Sequence, residues 1–306
     1  MKAILLMTIL LGYAHSSFGQ ETIPLYQESV PNSKETPDEE FSEHRYGHAV
    51  IGKISRPTLT IFRASPHNTN RTAVIIFPGG GYSVNAIEHE GHEVAKALHA
   101  VGITAFVVKY RIPNEGTMIN REMVPLQDAQ QAIYLVRKQA KEWGIDPMRI
   151  GVMGFSAGGH LASSLGTHYD QVLLPETSGI SLRPDFMMLI YPVISFQTDV
   201  AHLGSREQLI GKNPSQEKID YFSSELHVNT KTPPTFLVHA SDDSAVKPDN
   251  SILFYQALLR HQVPAELHLY QSGQHGFGLN NTSTSDQWLD RAIHWMKANN
   301  YLQNVK

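Results

Sequence analysis

The chain of 306 residues contains no cysteine. A disulfide framework and a thiolate nucleophile are therefore excluded, and the fold must rest on its core. Charge is scarce too: 18% of residues are charged and the formal net charge is −4. No basic stripe is present, which argues against a nucleic-acid partner. Long hydrophobic runs are also missing. The apolar stretch from Ala3 to Gly12 is about half of what a membrane-spanning helix needs. With Lys2 before it and Ser16-Ser17-Phe18-Gly19 after it, the stretch reads as a signal peptide over residues 1–19, cleaved after Gly19. The expectation is export, to the periplasm or beyond, with no membrane anchor once the leader is removed.

What is present is ordinary globular sequence, 41% hydrophobic. Residues 20–46 are polar, contain three prolines and show no period, so an extended segment laid over the surface is expected there. Residues 47–306 read as one domain. β-Rich runs appear at Thr58–Phe62, Ala73–Phe77, Thr104–Lys109, Arg149–Met153, Phe186–Ile190, Thr235–His239 and Ala265–Tyr270. Helical spacing links Ile87, Val94, Ala95, Leu98 and Val101, then Leu126, Ala129, Ile133, Val136 and Ala140. It returns at Ile252, Tyr255, Leu258 and Leu259, and again at Trp288, Ala292 and Trp295. This alternation predicts an α/β fold, a mainly parallel twisted sheet with helices on both faces. The runs before the first helix are expected to form an antiparallel edge. Residues 193–232 break the rhythm and are expected to rise above the carboxyl ends of the strands.

Gly154-Phe155-Ser156-Ala157-Gly158 fits G-x-S-x-G. The five letters are weak alone. Here they lie between a buried-strand pattern and a small-residue helical stretch, which puts Ser156 on a strand-to-helix turn. Gly154 and Gly158 are expected to meet across that turn, where a Cβ on either would clash. The turn would project the Ser156 hydroxyl and aim helix N-terminal N–H groups at developing negative charge. A serine needs a base to become a nucleophile. In this topology an acid and then a base follow, each in a loop after a late strand. Asp242 and Asp243 compete after Thr235–His239, and His275 stands in a Gly-flanked loop after Ala265–Tyr270.

Pro78-Gly79-Gly80-Gly81-Tyr82 follows the run Ala73–Phe77. Glycines there let backbone N–H groups approach a ligand unobstructed. The expected oxyanion donors are the N–H of Ala157 and that of Gly80 or Gly81, with Tyr82 a candidate to line the substrate pocket. His89-Glu90-Gly91-His92-Glu93 differs from the zinc motif H-E-x-x-H because its second His falls one residue early. It reads as a surface-polar helix start. Neither a metal nor an organic cofactor is expected.

Together, PGGGY (78–82), EHEG (88–91), KYR (109–111), PLQDAQ (125–130), GFSAGGH (154–160), HASDD (239–243) and GQHGFGL (273–279) resemble an α/β-hydrolase of the bacterial acetylxylan esterase and feruloyl-esterase-like type. The resemblance spans residues 72 to about 280. It implies that the acid is Asp243, so that Ser156, Asp243 and His275 form a catalytic triad. One departure is Pro78, where related lipases and esterases commonly carry a histidine that braces the glycine loop. The implied activity is that of a serine esterase that removes acetyl groups from xylan or related plant polysaccharides and oligosaccharides, or acts on another small ester. Other short-chain or feruloyl esters are the alternative substrates. From a different class, an inactive carbohydrate-binding protein on a decayed hydrolase fold is the competing reading.

Overall fold

The computed structural model describes residues 20–45, 47–65 and 67–302. The expected signal peptide, 1–19, lies outside the described residues. The chain opens with β1 (Glu21–Pro24) and a hairpin of β2 (Phe41–Arg45) and β3 (His48–Gly52), followed by β4 (Thr58–Phe62) and β5 (Ala73–Phe77). A two-residue strand β6 (Val84–Asn85), α1 (Glu93–Ala100), β7 (Thr104–Lys109) and α2 (Val124–Lys138) come next. Then come β8 (Ile150–Phe155), α3 (Ala157–Thr167) and β9 (Met187–Ile190). The segment 193–232 holds α4 (Leu203–Ile210) and α5 (Gln216–Tyr221). β10 (Thr235–Ala240), α6 (Asp249–Arg260), β11 (Ala265–Tyr270) and α7 (Trp288–Ala298) complete the order.

Eight strands form one sheet in the order β1-β4-β7-β5-β8-β9-β10-β11. The β1–β4 and β4–β7 pairs are antiparallel and the remaining pairs are parallel. The antiparallel edge therefore holds Thr58–Phe62 but not Ala73–Phe77. The latter runs through the middle of the sheet, because α1 carries the chain back so that β7 starts in the same direction. Alternate residues face opposite layers. Ile75, Phe77, Phe106 and Val152 join the core under α2, α3 and α6, whereas Val74, Ile76, Val107 and Met153 join the one under α1 and α7. Strands covered on both faces must be apolar on both, hence the near-continuous Val/Ile/Phe runs. On α6 the buried face is Phe254, Ala257 and Leu258, and Leu259 points to solvent.

Two of the motifs serve this scaffold. Arg111, of KYR, is buried and grips Asp128, of PLQDAQ, through Nε at 3.0 Å and Nη2 at 2.6 Å. The same guanidinium donates to the Pro31 carbonyl at 2.7 Å, and the Tyr26 hydroxyl donates to Asp128 at 2.9 Å. The N-terminal segment is thus stitched to the domain: β1 extends the main sheet, and β2 joins β3 and β6 in a second, three-stranded sheet. From β5 the chain moves to one neighbour, β7, and later returns on the other side as β8. The loops after β5 and β8 diverge at that reversal and open a crevice at the carboxyl ends of the strands.

Candidate active site

Ser156 stands in this crevice at φ 51° and ψ −119°, a conformation that costs a non-glycine residue about 1–3 kcal/mol. Its backbone is held on every side. The N–H donates to Ile190 O at 3.1 Å, and the carbonyl accepts from Gly159 N at 3.0 Å and Val193 N at 3.0 Å. A Cβ on Gly154 would fall on the Gly158 carbonyl, as expected across so sharp a turn. Gly158 answers to a different neighbour: its Cβ would strike the carbonyl oxygens of Phe77 and Pro78. That glycine lets the helix N-terminus approach the loop after β5.

His275 Nε2 lies 2.9 Å from Ser156 Oγ, and His275 Nδ1 lies 2.7 Å from Asp243 Oδ2. Asp243 Oδ1 accepts from the N–H groups of Ala245 at 3.0 Å and Val246 at 2.9 Å, and its Oδ2 also meets His239 Nε2 at 3.2 Å. Burial opposes ionisation of Asp243, yet hydrogen bonds from His239, His275 and Val246 outweigh it and hold the carboxyl well below its ordinary value. His239 Nε2 also faces the Val246 carbonyl at 2.9 Å, so this nitrogen carries a proton. The other aspartate holds backbone instead of the imidazole. Asp242 Oδ1 accepts the N–H of Gln274 at 2.8 Å, beside His275 in the same loop.

Across the crevice, Gly80 at φ 120° and Gly81 at φ 63° turn the chain in left-handed conformations. Among the described residues, the N–H groups of Gly80, Gly81 and Ala157 have no acceptor, and Gly80 and Gly81 border the same cleft as Ser156. The loop needs no histidine at position 78. The Tyr110 hydroxyl donates to the Pro78 carbonyl at 2.7 Å, and Glu90 Oε2 accepts from Gly79 N–H at 2.8 Å.

Tyr82 does not line the cleft. It is 1% exposed, and its hydroxyl meets His160 Nδ1 at 2.8 Å. At φ 58° the turn after Gly81 directs this side chain into the core. Nor is the stretch 89–93 a surface-polar helix start. Residues Glu88–His92 form a π-helical turn in which Glu90 is buried. His89 stacks on His48 with ring centroids 4.4 Å apart. Among the described residues no group of three or more His, Asp or Glu side chains is placed to hold a metal ion.

The cleft encloses about 520 Å³. Besides the glycine loop, Ser156 and His275, it is lined by Arg45 and His48 from the hairpin, which sequence spacing did not point to, and by His202 from the segment 193–232, which was expected above the strand ends. His202 Nδ1 accepts the N–H of Ser205 at 3.2 Å, so the neutral ring carries its proton on Nε2. Burial, aided by nearby His275, lowers the His202 pKa and favours that neutral form.

The BD-FAE family model matches residues 59–258. The chain belongs to the BD-FAE family. Within this α/β-hydrolase setting, it is 36% identical over 238 residues to an acetylxylan esterase of Xylanibacter ruminicola, covering 76% of this chain and 47% of that one. It is 34% identical over 277 residues to endo-1,4-beta-xylanase B of Butyrivibrio fibrisolvens, covering 89% of this chain and 42% of that protein. The chain thus spans less than half the length of these two relatives. Among solved structures, the acetyl ester-xyloside bifunctional hydrolase of Caldicellulosiruptor lactoaceticus superimposes with a TM-score of 0.79 at 39% identity, over 92% of this chain and 97% of that one.

Proposed function

We propose that this family member is an exported serine esterase that removes acetyl groups from xylan or related plant polysaccharides and oligosaccharides. The observation that carries the reading is the hydrogen-bonded series Ser156–His275–Asp243, at 2.9 and 2.7 Å, facing the unpaired N–H groups of the glycine loop. His275 Nε2 takes the Ser156 proton as Oγ attacks the acetyl carbonyl. Asp243 fixes the imidazole with its Nδ1–H toward the carboxylate and stabilises the imidazolium. The negative charge that develops on the carbonyl oxygen is met by the N–H of Ala157 and that of Gly80 or Gly81, where each donor is worth about 10²–10³ in rate. The imidazolium of His275 then gives its proton to the departing sugar oxygen, which leaves as a hydroxyl, and His275 activates water, which releases acetate and restores Ser156.

The choice of acetyl ester is supported by the relatives, an acetylxylan esterase and an acetyl ester-xyloside hydrolase. The sugar would rest against Arg45, His48 and His202, of which His202 offers its Nε2–H as a donor. Export is supported by the leader-like composition of residues 1–19. No helix among the described residues is long and apolar enough to cross a membrane. The test compares acetate release from acetylated xylan with cleavage of butyryl and feruloyl esters, for the wild type and Ser156→Ala. Acetate release that vanishes in Ser156→Ala is expected. A clear preference for feruloyl or longer acyl esters would overturn the substrate, and an inactive wild type that binds xylan would overturn the enzyme.

A further inference from the structure

A buried carboxylate is costly unless each oxygen is matched by a donor. Glu90 is 3% exposed, and the nearest basic nitrogen, His89 Nε2, is 3.8 Å from its Oε1. Its oxygens are matched instead by two neutral groups, Gly79 N–H on Oε2 and the Tyr191 hydroxyl on Oε1, each at 2.8 Å. The Tyr191 oxygen in turn accepts the N–H of Gly278 at 2.9 Å, which leaves its own proton for Glu90. Burial first, and the Glu90 charge second, push the Tyr191 phenol well above its ordinary pKa, so that proton stays on oxygen. The Tyr191 ring stands edge-on to His275, with centroids 5.0 Å apart, and to Phe277 at 4.6 Å.

Three hydrogen bonds therefore connect the loop after β5, which bears the free N–H groups, to the loop after β11, which bears the imidazole. β5 and β11 are not neighbours in the sheet. We propose that Glu90 and Tyr191 are positioning residues that hold the glycine loop and His275 in one frame, for the ester hydrolysis on which this inference rests. Such a frame is needed because the oxyanion donors and the base must fit the same transition state, and a displacement of about 1 Å can cost about 10² in rate. Glu90 borders the cleft, but both of its oxygens are engaged, so it serves the reaction through its neighbours.

The test measures kcat and KM on 4-nitrophenyl acetate, with thermal midpoints, for the wild type and Ser156→Ala, then Tyr191→Phe, Glu90→Ala, Glu90→Gln and the Glu90→Ala/Tyr191→Phe double variant. Tyr191→Phe keeps the ring against His275 and removes only the hydroxyl. It should lower kcat about 10- to 100-fold, with KM within about threefold of the wild type. Glu90→Ala should do the same, and the double variant should be no slower than the slower single, since both break one series. Glu90→Gln should recover part of the rate lost in Glu90→Ala, because its amide oxygen still accepts from Gly79, while its NH₂ can donate to the Tyr191 oxygen only with the phenol proton turned away.

A kcat within about twofold of wild type for folded Tyr191→Phe, or losses that multiply in the double variant, would overturn the proposal. So would lowered thermal midpoints with kcat unchanged. If Glu90→Ala does not fold, Tyr191→Phe and Glu90→Gln decide. An inactive wild type, or a Ser156→Ala variant that retains activity, would instead overturn the esterase reading itself.

Discussion

Ser156 and the glycine loop extend from β5 and β8, central strands in which every residue is buried. Their geometry is set by backbone torsions: Ser156 at φ 51°, Gly80 at 120° and Gly81 at 63°. Asp243 and His275 stand beyond β10 and β11, and β11 is an edge strand with exposed positions along its length. There the geometry is set by side chains. Asp243 holds the imidazole, Asp242 holds its loop, and His239 braces Asp243 from behind. The difference separates two kinds of sensitivity. In the serine half an added Cβ at Gly79, Gly80, Gly154 or Gly158 would strike a packed neighbour, whereas the acid–base half depends on acceptors that a substitution can remove.

The largest effect should come from removing such an acceptor. Asp243→Asn is expected to lower kcat about 10⁴-fold by favouring the wrong imidazole tautomer. Steady-state hydrolysis of 4-nitrophenyl acetate measures it, and a loss under about tenfold would contradict the role given to Asp243. Adding one methyl group probes the other half. Gly158→Ala puts a Cβ onto the Phe77 and Pro78 carbonyls, backbone atoms that cannot move aside, and should cost about 3 kcal/mol or more. At Gly276 the methyl meets open space, and only the φ of 81° opposes it, a penalty of about 1–2 kcal/mol. Urea unfolding of both variants compares the halves directly, and equal losses would remove the distinction.

Acid should also separate them. Burial lowers His160 from an ordinary 6.5 to about 4, with the Phe222 carbonyl acting in the opposite direction. His160 supports the serine half from α3, where its ring meets Tyr82 and the Phe222 carbonyl. His168, on the same side, is lowered to about 4, again chiefly by burial. Between pH 6.5 and 4 the unfolded chain binds these protons and the folded chain does not, so stability falls as pH falls, by about 3 kcal/mol for a fully buried imidazole. Asp243 has a depressed pKa, so its contribution is lost only as pH drops below its ordinary 3.8. Calorimetry from pH 7 to 4.5 should therefore show a falling midpoint before any carboxylate of the triad is protonated. A flat profile would contradict this.

The alternation of strand and helix patterns was legible because burial on both faces of a parallel sheet forces near-continuous apolar runs. Ser156 and His275 were legible because each follows a strand, and the order of strands in the chain sets the order of loops at the crevice. Position left Asp242 and Asp243 both open, and the family resemblance pointed to Asp243. Glu90 lies within EHEG (88–91), yet its role was hidden. Its partners, Gly79 N–H and the Tyr191 hydroxyl, lie at spacings that no helix or strand period encodes. Arg45 and His48 sit beside or within a polar stretch without periodicity, and only the pairing of β2 with β3 brings them to the cleft. Tyr82 misled for a local reason: the left-handed turn at φ 58° reverses the direction its position suggests.

The two neighbouring aspartates give the finest version of the comparison. Both serve the acid–base half, but Asp243 touches the imidazole and Asp242 touches only the backbone of Gln274, itself at φ 55°. Asp242→Ala should therefore slow the reaction by about fivefold, the weight of one hydrogen bond. Asp242→Asn keeps an acceptor oxygen for that N–H and should remain close to wild type. Asp243→Asn has no such escape, because its amide nitrogen would face the imidazole or the Val246 N–H, both donors. If Asp242→Ala proved as damaging as Asp243→Asn, the acid of the triad would have to be reassigned, although the distance of 2.7 Å from His275 Nδ1 belongs to Asp243.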